Sequence, residues 1–166
     1  IFNECKNTKN VNYFGFLDNK KIIQMLKKMH IFSHPSIWPE TSCIAAIESM
    51  AAGCEVVTTD LGALSETCSS FGTFVNFDRN FDNLEKKYGN VLLNSIKNFW
   101  SNENQNKLKL QTKTINATYS WDVRSVEWKN FFDKVRKLKV YTFNSLTLLK
   151  KFFHSRDLTS HEYVAL

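Results

Sequence analysis

The chain has 166 residues, 43% of them hydrophobic and 14% aromatic with fourteen Phe, which is enough for one domain with a packed core and too apolar for a disordered chain. No apolar run approaches the roughly 20 residues that span a bilayer. The formal charge of +6 is uneven, with 7 Lys/Arg against 8 Asp/Glu in residues 1–80 and 15 against 8 in residues 81–166.

The basic half reads first as a Lys-rich solvated face. Its cations come singly or in pairs, without the block that marks a nucleic-acid arm, so no nucleic-acid partner is expected; peripheral contact with an anionic membrane stays open. Cys5, Cys43, Cys54 and Cys68 form no CxxC pair, which argues against a zinc ribbon or a redox pair. They read as reduced thiols of a cytoplasmic protein. The opening Ile1, with no leader ahead of the first strand-like segment, makes the chain read as a piece of a longer protein.

In chain order, residues 11–16 (VNYFGF) form a β-rich run. Asp18 caps a helix over residues 20–29 with Ile22, Ile23, Leu26 and Met29 on one face. Residues 30–34 read as a strand stopped by Pro35, residues 42–52 as a helix stopped by Gly53, and residues 54–58 as a strand without polar alternation, as when helices cover both sheet faces. A short helix over 64–68 and a strand over 73–77 follow. Repeated βαβ units with short links predict an α/β fold, a Rossmann-like doubly wound parallel sheet. Helical periods then occupy residues 83–100 and 106–118, and Asp122 caps a third helix with Val123, Val126, Trp128, Phe131, Phe132 and Val135 on its apolar face. The expected division is a nucleotide-sugar-binding domain over 1–140, incomplete at its N-terminus, and a helical tail over 141–166.

The chemistry concentrates in residues 35–66, PSIWPETSCIAAIESMAAGCEVVTTDLGALSE. Glu40 lies in the loop after a strand and Glu48, after seven intervening residues, about two turns into a helix. In an open α/β sheet that loop sits at the carboxyl edge, where ligands bind. The helix start aims unpaired N–H groups and a positive dipole end at the same crevice, a site for a diphosphate. A carboxylate beyond the phosphates accepts hydrogen bonds from a ribose diol, and one before the helix does so from sugar hydroxyls. Asp60, Gly62 and Glu66 read mainly as turn-shaping, His34 as flanking a buried strand or, as the lesser reading, lining the cleft, and Trp38 as either a lid or packing.

Taken together, Pro35-Ser36, Glu40, Glu48-Ser49-Met50-Ala51-Ala52-Gly53, Val56-Val57 and Asp60-Leu61-Gly62-Ala63-Leu64-Ser65-Glu66 resemble the retaining GT-B glycosyltransferases of group 1, also called family 4. Residues 11–17 resemble the strand and Gly turn that this family places beside the base, and Tyr119-Ser120-Trp121 resembles its Phe-Ser-Trp segment. The resemblance spans roughly residues 11–136.

It implies the C-terminal, donor-binding half of a GT-B fold followed by helices, moving a hexose-type sugar from a nucleoside-diphosphate sugar to an acceptor hydroxyl with retention. Glu40, the catalytic candidate, would hold the donor sugar; the backbone amides of Ser42 and Cys43 would approach the sugar, and those of Ile44 and Ala45 the distal phosphate. Glu48 would bind the ribose, and Phe16 and Leu17 would border the base. Neither metal nor cofactor is implied. The acceptor (glycan, lipid or protein) would be bound by a domain upstream of Ile1, together with a phosphate-clamping Arg/Lys pair. Thr41-Ser42-Cys43 departs from the family's Gly-Phe-Gly, so the sugar pocket must differ in shape. The alternative is a non-catalytic nucleotide-sugar-binding or scaffold module of the same fold.

Overall fold

The computed structural model describes residues 2–141, with side chains to residue 137. They fall into two units, one ending at Ser120 and one beginning at Trp121. The first contains a three-stranded, wholly parallel sheet in the order β1 (Ile31–His34), β2 (Glu55–Thr59) and β3 (Thr73–Val75). The same unit holds α1 (Phe2–Asn7), α2 (Asn19–Leu26), α3 (Ile44–Ala52), α4 (Leu64–Cys68), a 3₁₀ turn (Ser69–Phe71), α5 (Phe81–Asn98) and α6 (Asn102–Tyr119). This is the expected Rossmann-like α/β layout followed by helices.

Alternation along the strands sorts the core into two layers. Phe32, Val56 and Phe74 face one way and pack with Ala46 and Met50 of α3, Leu64 and Cys68 of α4, and Ile115 of α6. Ile31, Val57 and Val75 face the other way, against Leu84 and Tyr88 of α5. Both faces of β2 are therefore covered, and all five of its residues are buried. Burying about 25 cal/mol per Å2 of apolar surface is what holds these layers together.

Side chains close the helix ends as their types dictate. Asp18 accepts from the Lys21 N–H at 2.9 Å, Asn80 from Asn83 at 3.2 Å, and Ser101 from Asn104 at 3.2 Å. Gly53 ends α3 in the left-handed region at φ 94°, where a side chain would be strained.

Several expectations change. Residues 11–16 form no strand; Val11, Tyr13, Phe14 and Phe16 are exposed, and no described strand pairs with them, so β propensity has nothing to act through. α2 stops at Leu26, and of its expected apolar face only Leu26 is buried. α3 starts at Ile44, two residues after the expected Ser42. β2 is shifted one residue on, and β3 ends at Val75.

The second unit contains α7 (Trp121–Tyr141). Asp122 lies within its first turn and does not cap it. Val126, Trp128, Phe131 and Phe132 are more than half exposed, and the three rings stack edge and face on one another with centroids 5.5–5.8 Å apart. Most of the expected tail lies outside the described residues.

Candidate active site

The carboxyl edge of the sheet is organised by the loop of residues 35–43, between β1 and α3. Two buried threonines at the end of β2 hold its beginning: Thr58 Oγ1 donates to the His34 carbonyl at 2.9 Å and Thr59 Oγ1 to the Ser36 carbonyl at 2.7 Å. The His34 carbonyl also accepts from the Ser36 N–H at 2.8 Å, whereas the Ser36 carbonyl lies past the end of β1, where an unsatisfied buried carbonyl is costly.

The far side of the loop is held by Gly62. Glu40 and Gly62 form an isolated parallel bridge, and the Ala63 N–H donates to the Glu40 carbonyl at 2.7 Å. Gly62 has φ 64°, and a Cβ there would lie 2.6 Å from the Glu40 carbonyl oxygen and 2.7 Å from its nitrogen. Only glycine meets both conditions. Asp60 shapes the same turn by accepting from the Phe77 N–H at 2.7 Å, whereas Glu66 is exposed on α4.

So placed, the Glu40 carboxylate meets three side chains. His34 Nε2 lies 2.6 Å from Oε1, and Ser36 Oγ donates to the same oxygen at 3.3 Å. Cys43 Sγ lies 3.8 Å from the same His34 nitrogen. Burial pushes the Glu40 carboxyl upward, but hydrogen bonds from His34, Cys43 and Ser36, with the nearby His34 charge, outweigh it and leave the group below its ordinary value. Glu40 is thus an anion at neutral pH. Burial, reinforced by Glu40, raises the Cys43 thiol, an effect the Ala46 and Ala45 amides only partly offset. This thiol is no nucleophile by itself.

Cys43 is extended (φ −108°, ψ 94°) and caps α3 without a side-chain hydrogen bond. The first carbonyl bond into the helix runs from the Ile47 N–H to the Cys43 carbonyl. Among the described residues no carbonyl accepts from the N–H groups of Ile44, Ala45 or Ala46, as at every helix start, and those of Ala45 and Ala46 face the Cys43 sulfur. Ile44 is 69% exposed, and Ala45 and Glu48 lie on the same outward side of α3. Glu48 is half-buried, and its carboxylate has no hydrogen-bond or ion-pair partner among the described residues. Thr41 and Ser42 are exposed between the two carboxylates. Trp38 is 74% exposed, which rules out core packing for its ring.

The arrangement offers an anion-seeking helix start bracketed by two carboxylates, one tied into a network and one unpartnered. A model of the family described as glycosyl transferases group 1 matches residues 2–114. The chain belongs to this family. No curated protein and no solved structure gives a significant match to it. The group 1 match takes in Glu40, α3, Gly62 and the segment before α2, and stops short of Tyr119-Ser120-Trp121.

Sequence reasoning leaves His34 at the cleft only as a lesser reading and misses two site features. His34 joins Glu40 directly, and Thr58 and Thr59 hold the loop. Strand alternation puts His34 on the α3 side of β1, and that was the available signal. Phe16, 99% exposed, and the half-buried Leu17 lie in the segment preceding α2.

Proposed function

We propose that this group 1 glycosyltransferase chain binds a nucleoside-diphosphate sugar at the start of α3 and serves as the donor half of a retaining, family 4 enzyme of GT-B architecture. It moves a hexose-type sugar to an acceptor hydroxyl of a glycan, lipid or protein. The observation that carries this reading is the open first turn of α3, with a networked carboxylate before it and an unpartnered one beyond it.

In this reading the N–H groups of Ile44 and Ala45, joined by Ala46, hold the diphosphate and stabilise the charge it gains on leaving. Those of Ser42 and Cys43 approach the sugar. Glu40, kept anionic and aimed by His34 and Ser36, accepts from sugar hydroxyls and orients the anomeric carbon for front-face attack. Glu48 accepts from the ribose diol, and Phe16 and Leu17 border the base. No metal or cofactor takes part. Four cysteines without a disulfide support a reducing, cytoplasmic setting.

The test is a titration of the full-length protein against UDP-, GDP- and ADP-sugars and the free diphosphates. Glu48→Ala should weaken the nucleoside diphosphate by about 1.5–3 kcal/mol, the scale of a charged hydrogen bond. Glu40→Ala should spare diphosphate affinity and lower turnover. Equal losses of diphosphate affinity in both variants would show the two roles to be wrongly assigned, and no binding by any nucleotide would end the proposal.

A further inference from the structure

His34, Glu40 and Cys43 bring an imidazole nitrogen, a carboxylate oxygen and a thiol sulfur within 4.8 Å of one another. We propose that these three side chains form a site for a zinc-class divalent cation, and that a cation bound there blocks the donor-sugar pocket. The binding stands on geometry alone; the blocking rests on the assignment of Glu40 to the sugar.

Zinc sits about 2.0–2.3 Å from nitrogen, oxygen and sulfur ligands in a tetrahedron, which separates ligand atoms by about 3.3–3.7 Å. The Cys43 Sγ to His34 Nε2 distance of 3.8 Å is already close to that range. The His34 Nε2 to Glu40 Oε1 distance of 2.6 Å must open by under about 1 Å, a small rotation of the carboxylate. His34 and Glu40 keep 29% and 23% side-chain exposure, so the fourth position opens towards the crevice and takes water, as in sites with three protein ligands. One thiolate, one imidazole and one carboxylate suit Zn(II) or Co(II) and not Mg(II), which demands six oxygens. Supporting contacts are in place: Ser36 bonds Glu40 Oε1, the Ala46 and Ala45 amides face the Cys43 sulfur, and Gly62 holds the Glu40 backbone. Such neighbours fix ligand orientation. Binding exchanges the thiol proton and the hydrogen bond between His34 and Glu40 for the cation, with no redox change. Glu40 then no longer faces a sugar hydroxyl, so the cation would act as an inhibitor and not as a cofactor.

The test uses untagged, reduced, metal-free full-length protein titrated with Co(II) and then Zn(II). Co(II) should give thiolate-to-metal absorption in the near ultraviolet with the strong visible bands of a tetrahedral site, and Zn(II), but not Mg(II), should bleach them. Cys43→Ser should lose the thiolate band, and His34→Gln should weaken Zn(II) by about tenfold or more. Cys43 is buried; should its variant unfold, the partly exposed His34 carries the same test. An unaltered Co(II) spectrum in folded variants, or bleaching by Mg(II), overturns the site. In a second arm, Zn(II) should weaken the nucleotide sugar and leave the matching diphosphate nearly unchanged. Cys43-dependent Co(II) binding by a protein that binds no nucleotide sugar supports the site and overturns the donor reading. Nucleotide-sugar binding without that spectrum does the reverse.

Discussion

Two irregular segments are assigned to the same ligand, and they are built in opposite ways. Residues 35–43 are tied down from both sides, by Thr58 and Thr59 on one and Gly62 and Ala63 on the other. Residues 11–17 are tied, among the described residues, by the turn from the Val11 N–H to the Thr8 carbonyl at 3.2 Å, by the Lys6 ammonium over the Tyr13 ring and by the Phe2 ring against Tyr13 at 5.7 Å. The difference teaches where recognition is prepaid. In the proposed reading, groups that handle charge gain most from being held before the ligand arrives, whereas a surface proposed to border a flat base can be arranged by the base itself.

One pair of substitutions tests this contrast most sharply, because Gly15 and Gly62 share φ 64°. Gly15→Ala adds a Cβ whose nearest neighbour is 4.0 Å away, so only conformational strain applies, roughly 1 kcal/mol. Gly62→Ala adds the collision with Glu40 and should cost about 3 kcal/mol or more in urea unfolding, with loss of turnover. Similar costs at both positions would mean that the bridge to Glu40 contributes nothing.

Next in size is the removal of one N–H proposed to face the donor phosphate. α3 begins at Ile44, which is exposed, and Cys43 before it is extended, the conformation proline asks of its predecessor. Ile44→Pro therefore suits the first helical position and deletes only an orphan donor. Thermal stability should hold while nucleoside-diphosphate affinity falls by about 1.5–3 kcal/mol; affinity for the bare nucleoside should not move.

A smaller effect follows from Glu40 itself. Its carboxyl lies below the ordinary value of 4.5 in the folded chain, so the stability it supplies is complete above that value and is lost as pH falls through the lower, folded one. The stability gap between wild type and Glu40→Gln should be widest at neutral pH and narrow on acidification. A gap that widens in acid would reverse the sign assigned to the His34 contact. Smallest of all, Phe16→Ala should leave unfolding within about 0.5 kcal/mol of wild type, as for an exposed side chain outside the core, and any effect should fall on nucleoside affinity.

What the sequence makes legible follows the same division. Gly53, Asp18 and the apolar run at β2 announce themselves because their causes are local: a left-handed stop, a side-chain cap, burial on both faces. Glu40 and Glu48 are legible from their spacing around a helix start. The true start of α3 is not, because Thr41 and Ser42 are both good capping types, and it is the bridge to Gly62, 22 positions after Glu40, that keeps the backbone extended past them. The pairing of His34 with Glu40 depends on the same closure of the loop. Residues 11–16 mislead for the opposite reason, since β propensity without a partner strand makes no ladder.

Thr58 and Thr59 carry one more consequence. Both are wholly buried in the sheet, where shape alone would let valine stand in. Their hydroxyls, however, donate to the carbonyls of His34, the last residue of β1, and of Ser36, just beyond the strand. The residue alphabet admissible at these two interior positions is thus dictated by a surface loop. A valine in place of Thr59 fills the same volume but strands the Ser36 carbonyl, whereas the His34 carbonyl keeps the Ser36 N–H at 2.8 Å, so the vocabulary of the core is set in part by the loop above it.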